Sequence, residues 1–375
     1  MTVPLLYRLV LAALLTSLAC GGSAALAEPI GSLRFMGAVT VPNDARAGRT
    51  LIGGLSGLDY DAATDSFVVV SDDRSEYAPA RFYDVKLAFQ DDRLAAVAFL
   101  KATPLLQANG RPYPNGMAGG DIPDPESIRI DPANPDRLWW TSEGDRSRRL
   151  KPAVREIDRQ GRQLFALPVP AMFDVHPGRE SGPRNNLAFE ALSFSADGQT
   201  LWVGMEEALY EDGPVASVDH GAVSRITHYG RDGQLLGQFA YPIDAIPAKP
   251  GPGKAADNGV SEILALDDSR LLVLERSGVQ ASDGSYSVHI RLYEADIEGA
   301  TDVSSLSALA GADYRPMAKR LVVNLDHAGV GRVDNLEGVS WGPRLGNGHR
   351  TLVLVSDNNF NKDQVTQFLA FEVLP

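Results

Sequence analysis

The sequence is short of cysteine and of positive charge, and each shortage excludes a class of protein. Its 375 residues contain one Cys, so a scaffold stapled by disulfides and a metal centre built from several thiolates are both excluded. Lys and Arg number 35 against 48 Asp and Glu, which gives a formal net charge of −13. Because a surface that binds nucleic acid needs clustered basic residues, we exclude nucleic acid as a partner.

Long apolar runs are scarce as well. The run Leu9–Leu18 is too short for a permanent membrane anchor, and no later segment has the length of a transmembrane helix. Arg8 precedes this run, and Ala25-Leu26-Ala27 offers small residues for signal peptidase, which is the pattern of a secretory signal peptide cleaved after Ala27. We therefore expect residues 28–375 to be a thiol-free monomer in the periplasm or secreted. An N-terminal anchor and lipid attachment at Cys20 are the alternatives.

A two-strand unit recurs five times along the chain. Each copy has a short alternating strand, an Asp/Gly turn, a more continuously apolar strand and a polar or acidic stop. Equivalent positions in the first strands are Ser56, Glu126, Glu190, Glu262 and Glu337, at separations of 70, 64, 72 and 75 residues. Five such units fill residues 28–375, which indicates one domain.

Further strand-like stretches bring each unit to four strands, the signature of a β-propeller blade. In the third unit, residues 223–229 and 234–241 flank Gly230-Arg-Asp-Gly233, a hairpin turn. The last unit has only three strands, and residues 33–41 supply the missing one from the other end of the chain. The sequence therefore predicts an all-β fold, a single propeller of five four-stranded blades. Six blades remain the alternative if a long segment between repeats contains an irregular blade.

Carboxylates recur at two positions of the repeat. Because the first strand of each blade lines the central channel of a propeller, we expect Glu126, Glu190, Glu262 and Glu337 to converge near the axis, with Ser56 in the fifth blade. A second set ends the second strands and consists of Asp72, Asp73, Glu143, Glu206, Glu275 and Asp357. These acids could also be structural and accept backbone N–H bonds from the neighbouring blade.

Converging carboxylates point to a cation. Like charges in a narrow channel repel one another unless a cation intervenes, and oxygen ligands without His or Cys favour Ca²⁺ over Zn²⁺ or copper. We therefore predict a Ca²⁺ cofactor, with the second set of acids and Asn359 as candidate ligands. Residues 357–363 alternate Asp and Asn as a Ca²⁺ loop does, but they lack the Gly and Glu of an EF-hand. A plain Asn-rich turn is the alternative there.

Arginines lie close in sequence to these acids, at Arg74, Arg81, Arg146 and Arg276. They are either ion-pair partners of the neighbouring acids or guanidinium forks that bind phosphate oxygens at the channel mouth. Other catalytic patterns are missing: the sequence has no G-x-S-x-G elbow and no P-loop, and its six His are scattered without metal-ligand spacing.

Six motifs together carry a resemblance to a known family. They are Val70-Ser-Asp-Asp-Arg74, Asp124-Pro-Glu-Ser127, Asn185-Asn-Leu-Ala-Phe-Glu-Ala-Leu192, Leu272-Val-Leu-Glu-Arg-Ser277, Asp334-Asn-Leu-Glu-Gly338 and Leu354-Val-Ser-Asp-Asn-Asn-Phe360. Over residues 31–375 the sequence resembles the phytase-like family labelled "esterase-like activity of phytase". The resemblance implies an exported propeller that hydrolyses phosphate esters or related esters, but it assigns no catalytic residue.

The acids and the resemblance lead to one main hypothesis, a Ca²⁺-dependent hydrolase of small-molecule phosphate monoesters. One of the channel glutamates would act as general base, and the arginines would hold the phosphate. Two alternatives remain. The first is a non-catalytic propeller, stabilised by Ca²⁺, that binds a ligand or an envelope partner. The second is a lactonase-like propeller.

Overall fold

The described chain forms the predicted propeller. The computed structural model describes residues 30–117 and 119–375, so the predicted signal peptide and Cys20 lie outside the described residues. Within these ranges, five four-stranded antiparallel sheets carry the fold, and helix is limited to four 3₁₀ helices of three residues each. None of the described helices is long and apolar enough to cross a membrane. The prediction of an all-β, five-bladed propeller is confirmed.

The first four blades each use four strands in chain order, starting at the axis. Blade 1 consists of β4 (Leu55–Asp61), β5 (Ser66–Ser71), β6 (Arg81–Gln90) and β7 (Arg93–Pro104). Blade 2 consists of β8 (Pro125–Ile130), β9 (Arg137–Ser142), β10 (Ala153–Asp158) and β11 (Gln163–Ala166). Blade 3 consists of β12 (Phe189–Phe194), β13 (Thr200–Met205), β14 (Ala222–Gly230) and β15 (Leu235–Ile243). Blade 4 consists of β16 (Gly259–Ala265), β17 (Arg270–Gln280), β18 (Tyr286–Asp296) and β19 (Ala318–Asn324).

The fifth blade joins the two ends of the described chain. It consists of β20 (Asn335–Gly342), β21 (Thr351–Asp357), β22 (Thr366–Leu374) and β1 (Ser32–Val41). β1 runs antiparallel to β22 along its whole length, from the Ser32–Leu374 pair to the Val41–Thr366 pair. A short hairpin of β2 (Arg46–Ala47) and β3 (Thr50–Leu51) then leads into blade 1. The exchange of strands closes the ring as predicted and covers the edge of β22.

The hydrophobic core lies between neighbouring blades. Alternate residues of β5 point to opposite faces, so Phe67 and Val69 pack toward blade 5 while Val68 and Val70 pack toward blade 2. Because both faces of the second strand are covered, its sequence is continuously apolar and does not alternate.

Glycine lets the inner strands approach one another closely at the axis. A Cβ atom at Gly57 would lie 2.7 Å from the carbonyl oxygen of Glu126, and one at Gly338 would lie 2.8 Å from that of Ser56. Any larger side chain at these two positions would push the inner strands apart.

The side chain of Arg129 closes the axis below these glycines. Its guanidinium and Nε donate to one backbone carbonyl from each blade, those of Leu58, Ile128, Leu192, Ile263 and Val339. The Arg129 Nη2 atom also lies 2.8 Å from Oε2 of Glu262, and both side chains are at least 98% buried. A single cation thus bonds to all five inner strands, and its charge is balanced by one buried carboxylate.

We expect Arg129→Met to lower the free energy of unfolding by about 3–5 kcal/mol, because it removes these bonds and leaves Glu262 buried without its partner. Urea denaturation measures the effect. Arg162→Met is the matched control: Arg162 makes an exposed ion pair with Asp158 and should cost less than about 1 kcal/mol. If both variants were equally stable, Arg129 would not be the central support of the ring.

Candidate functional site

Each inner strand carries a β-bulge at the same level of the channel. The pairing with the second strand skips one residue or, in blade 2, two, and the skipped residues are Ser56, Glu126 with Ser127, Glu190, Ser261 and Glu337. A bulge re-aims the side chain of its extra residue, and here the bulged residues Glu126, Glu190 and Glu337 face the channel. The register corrects the predicted alignment in blade 4, where Ser261 and not Glu262 is the equivalent position.

The second set of acids lies beside the first because each second strand ends where its partner begins. The residues of the second strands that follow the strand pair next to each bulge lie at this end of the channel. They are Asp72, Glu143, Glu206, Arg276 and Asp357. Blade 4 again departs from the prediction by one residue, since Arg276 pairs with Gly259 and occupies the position expected for Glu275. A shift of one residue along a strand moves a side chain to the opposite face.

A cavity of about 950 Å³ opens above these residues. Eight of the predicted site residues line it: Asp72, Arg74, Glu126, Glu190, Glu206, Arg276, Glu337 and Asn359. Ser56 ties two of them together, because its Oγ lies 2.8 Å from Oε2 of Glu126 and 3.0 Å from Oε2 of Glu337. The cavity therefore combines carboxylates from several blades with three guanidinium groups, those of Arg74, Arg276 and Arg332.

Two triads of buried carboxylates lie next to this cavity, which Asp124, Glu126, Glu190 and Glu206 line and Glu143 does not. Asp124, Glu126 and Glu143 form one, and Glu143, Glu190 and Glu206 form the other. In each triad one oxygen of every residue lies within 4.8 Å of the others. Oε1 of Glu143 accepts the Ala188 N–H at 2.6 Å, whereas its buried Oε2 has no hydrogen-bond partner among the described residues.

Burial and mutual repulsion hold these carboxyl groups close to protonation. Burial first, and then the charges of Glu206 and Glu143, raises the pKa of Glu190 well above its ordinary value. The pKa of Glu206 rises to about 8 for the same leading reason, although Arg276 opposes the shift. Burial likewise raises the pKa of Asp124 to about 6 despite its ion pair with Arg74. Such a cluster is satisfied either by protons or by a cation.

The donor set fits a hard divalent cation. Carboxylate oxygens are the ligands that Ca²⁺ and Mg²⁺ use in proteins, and an unpartnered buried oxygen is an open ligand position. Glu143 supplies that oxygen, and it was predicted as a ligand. Asp357, another predicted ligand, is 1% exposed and accepts the backbone N–H of Asn359 at 2.7 Å.

Arg74 and Arg276 are paired with acids and also face the cavity. Arg74 donates to both oxygens of Asp124 and to the side-chain oxygen of Asn186, and 30% of its side chain is exposed. Arg276 lies 3.2 Å from Glu206 and 3.1 Å from Asp257. Both arginines form ion pairs, but with Asp124, Glu206 and Asp257 and not with the acids next to them in sequence. Their position also leaves them available to a bound anion.

Glu262 is one of the candidates that the structure removes from the cavity. It is completely buried against Arg129, and its oxygens accept from the Ser127 hydroxyl at 2.7 Å and from the Leu192 N–H at 3.0 Å. These bonds make it a structural residue of the axis. Its pKa of about 7 reflects burial, which Arg129 partly offsets.

Asp73 and Arg81 are likewise structural. Their side chains pair at 2.6 Å and are almost fully buried, and the Asp73 carboxylate also accepts the backbone N–H groups of Glu76, Tyr77 and Ala78. This pattern orders the loop that follows β5. The pair lies away from the residues that line the cavity.

Arg146 and Glu275 are also displaced from the cavity. Arg146 donates to four backbone carbonyls of the segment 176–183 and stacks on Tyr210. Glu275 points between blades 3 and 4, where Tyr241 Oη and Lys319 Nζ lie 2.7 and 2.6 Å from its Oε1. The one-residue register shift in blade 4 explains why Glu275 does not join the other strand-terminal acids.

Residues 357–363 form a turn held by hydrogen bonds from backbone N–H groups to side-chain oxygens. Side-chain oxygens of Asp357, Asn358 and Asn361 each accept the backbone N–H two residues later. These are Asx turns, which alternating Asp and Asn residues favour as readily as metal binding. Asn359, Asn361 and Asp363 nevertheless line the rim of the cavity.

Several residues of the site escaped sequence reasoning. Asp124, Asn186, Asp257, Asp334 and Asn335 contribute to the cavity or its ion pairs. Asp124 and Asp334 each directly precede an inner strand, and the repeat could have revealed them. Arg129 had a visible signal, since a charged residue between two isoleucines is unusual in an inner strand.

Comparison with known proteins gives one informative match. The model of the family "Phytase-like: Esterase-like activity of phytase" matches residues 50–360, more than half of the chain. No functionally curated protein matches the sequence at a significant level.

Solved structures with similar folds have low identity to this chain. One is the periplasmic gluconolactonase of Pseudomonas aeruginosa, with 14% identity, 87% of this chain and 90% of that chain covered, and a TM-score of 0.35. Another is a putative glucose dehydrogenase from Thermus thermophilus, with 13% identity, 90% and 100% covered, and a TM-score of 0.34. At these values neither likeness carries an argument about activity. The match to the family model identifies the family: the chain belongs to the phytase-like family described by esterase-like activity of phytase.

Proposed function

We propose that the protein hydrolyses phosphate esters at the acidic cavity with a bound divalent cation, for which Ca²⁺ is our candidate. We further propose that it acts outside the cytoplasm, after residues 1–27 have been removed. The observation that carries the proposal is the cluster of buried carboxylates with the unpartnered Oε2 of Glu143, next to the guanidinium groups of Arg74 and Arg276. The family description names a related reaction class.

The carboxylates of the two triads would hold the cation. A bound divalent cation would neutralise phosphate oxygens and lower the pKa of a water molecule. Without that positive charge the cavity would repel a phosphate ester, because carboxylates outnumber guanidinium groups among its lining residues.

Arg74 and Arg276 are the candidates for binding the phosphate group. Both line the cavity, and each presents a planar fork of N–H donors that matches two phosphate oxygens. Their acid partners Asp124 and Glu206 keep the side chains oriented toward the cavity.

Glu337 is our candidate for the general base. It lines the cavity but belongs to neither triad. Ser56 Oγ donates to its Oε2 at 3.0 Å and Asn335 Nδ2 donates to its Oε1 at 2.8 Å, which orients the carboxylate. Burial raises the pKa of Glu337 above its ordinary value, and a more basic carboxylate accepts a proton more readily.

The reaction then balances without a further reagent. The oxygen of a water molecule forms a bond to phosphorus while the bond from phosphorus to the ester oxygen breaks. Glu337 takes the proton of the attacking water and returns it to solvent, and the leaving oxygen takes up a proton to give the alcohol. The products are the alcohol and inorganic phosphate.

Removal of the cation should abolish activity and lower the melting temperature together. With 4-nitrophenyl phosphate and Ca²⁺ we expect release of 4-nitrophenol that is lost in EDTA and restored by excess Ca²⁺. A cation at 100 times its Kd stabilises the folded state by about 2.7 kcal/mol, so calorimetry should show a lower melting temperature in EDTA.

The same experiment separates the alternatives. A fall in melting temperature without turnover of any ester would favour a ligand-binding propeller, and turnover of lactones but not phosphate esters would favour a lactonase. Phosphate release that EDTA leaves unchanged would contradict the role of the cation.

Glu337→Gln should lower kcat by about 10²- to 10⁴-fold, because the amide cannot accept the proton from water. Glu207→Gln is the matched control, since Glu207 is a buried acid that binds the backbone N–H groups of Ala208 and Ala216 and does not line the cavity. Steady-state kinetics and calorimetry on both variants make the comparison. Wild-type kcat in a folded Glu337→Gln variant would rule out this residue as the base.

A further inference from the structure

We propose that the cavity binds two divalent cations that share Glu143 as a common ligand. Asp124 and Glu126 would complete the set for one cation, and Glu190 and Glu206 would complete it for the other. This inference rests on the proposed function and specifies the composition of its metal centre.

The geometry of Glu143 carries the inference. It belongs to both carboxylate triads, which come from blade 2 on one side and from blades 2 and 3 on the other. The hydrogen bond from the Ala188 N–H to Oε1 fixes the orientation of the carboxylate, and Oε2 is buried with no partner among the described residues. A side chain that is 3% exposed and keeps an unpaired oxygen between two acid pairs is in the position of a bridging ligand.

The charges at the site favour two cations over one. Six carboxylates of this region line the cavity, namely Asp72, Asp124, Glu126, Glu190, Glu206 and Glu337, and the buried Glu143 and Asp357 lie next to members of this set. Arg74 and Arg276 are the guanidinium groups paired with members of this set. Because one divalent cation offsets only two negative charges, a single ion would leave the remaining carboxylates to repel one another or to take up protons.

The positions of the two arginines divide the site in the same way. Arg74 contacts Asp124, a member of one triad, and Arg276 contacts Glu206, a member of the other. Glu143 lies between them and forms no ion pair with an arginine of the described chain. The shared carboxylate is thus the one that most needs metal ions as its counter-charge. In a phosphate-ester hydrolase, paired ions would stabilise both the attacking and the leaving oxygen.

Mn²⁺ is a suitable probe because it prefers the same oxygen ligands and is paramagnetic. The full exported chain, freed of metal by chelator, is equilibrated with Mn²⁺, and bound metal is counted by elemental analysis. Electron paramagnetic resonance then reports whether the ions interact. We expect two Mn²⁺ per chain with the exchange-coupled spectrum of a carboxylate-bridged pair.

The variants test which residue is shared. Asp124→Asn and Glu206→Gln should each reduce the count from two to one and leave an uncoupled spectrum. Glu143→Gln should bind at most one ion, and its amide oxygen can still accept the Ala188 N–H. Glu207→Gln, the buried acid outside the cavity, should keep two coupled ions, and circular dichroism verifies that each variant is folded.

One ion in the wild type, two uncoupled ions, or two ions in Glu143→Gln would each overturn the shared site. Phosphate release tests the proposed function separately. A coupled pair of ions without turnover would support the two-ion site and contradict the proposed hydrolase. Chelator-sensitive turnover with one bound Mn²⁺ would support the hydrolase and contradict the two-ion site.

Discussion

The bonds of Arg129 to all five inner strands are the constraint on which the rest of the structure depends. A buried guanidinium needs an acceptor for each donor and a counter-charge, and the ring supplies five carbonyls and Glu262. Room for Glu262 exists because the equivalent positions in the other blades hold small residues, Gly57, Ser127, Ala191 and Gly338. The channel is therefore closed at this level, and Glu126, Glu190 and Glu337 line the cavity above it.

The carboxylates at the cavity repel one another, and the propeller fold does not itself need this repulsion. Each blade brings the start of its first strand beside the end of its second strand, so the two sets of acids meet at one end of the ring. Burial first, and then the like charges held close by, raises the pKa of both Glu126 and Glu190. A bound cation would relieve this repulsion, so the site is well suited to binding one. Part of the acidity of the composition is thus concentrated at one place in the molecule.

Blade 4 gives the site its asymmetry. Its register puts Arg276 at the level where the other blades have an acid, and β17 continues to Gln280, beyond the level at which β5, β9, β13 and β21 end. The extended hairpin of β17 and β18 therefore adds Gly278 and residues 283–286 to one wall of the cavity. The cavity is therefore asymmetric: at blade 4 it has Arg276 in place of an acid, and the β17–β18 hairpin makes its wall higher there.

The sequence by itself determined the five repeats, the four strands of each blade, the strand exchange between β1 and β22, and the two levels of acids. These features follow from local periodicity, and period-two alternation and turn residues can be read without knowing what lies across the channel. Repeat spacing alone could not show that Ser261 and Arg276, and not Glu262 and Glu275, occupy the equivalent positions in blade 4. A bulge shifts the strand register by one residue, and no sequence pattern indicates where it lies.

Only the tertiary structure decided which acids face one another. Glu190 and Glu262 have the same residue type in the same motif, yet one faces the cavity and the other pairs with Arg129. Partners such as Asp124 and Arg74, 50 residues apart, meet only because blades 1 and 2 pack side by side. Contacts between blades depend on where separate strands come to lie, and no local pattern encodes that position.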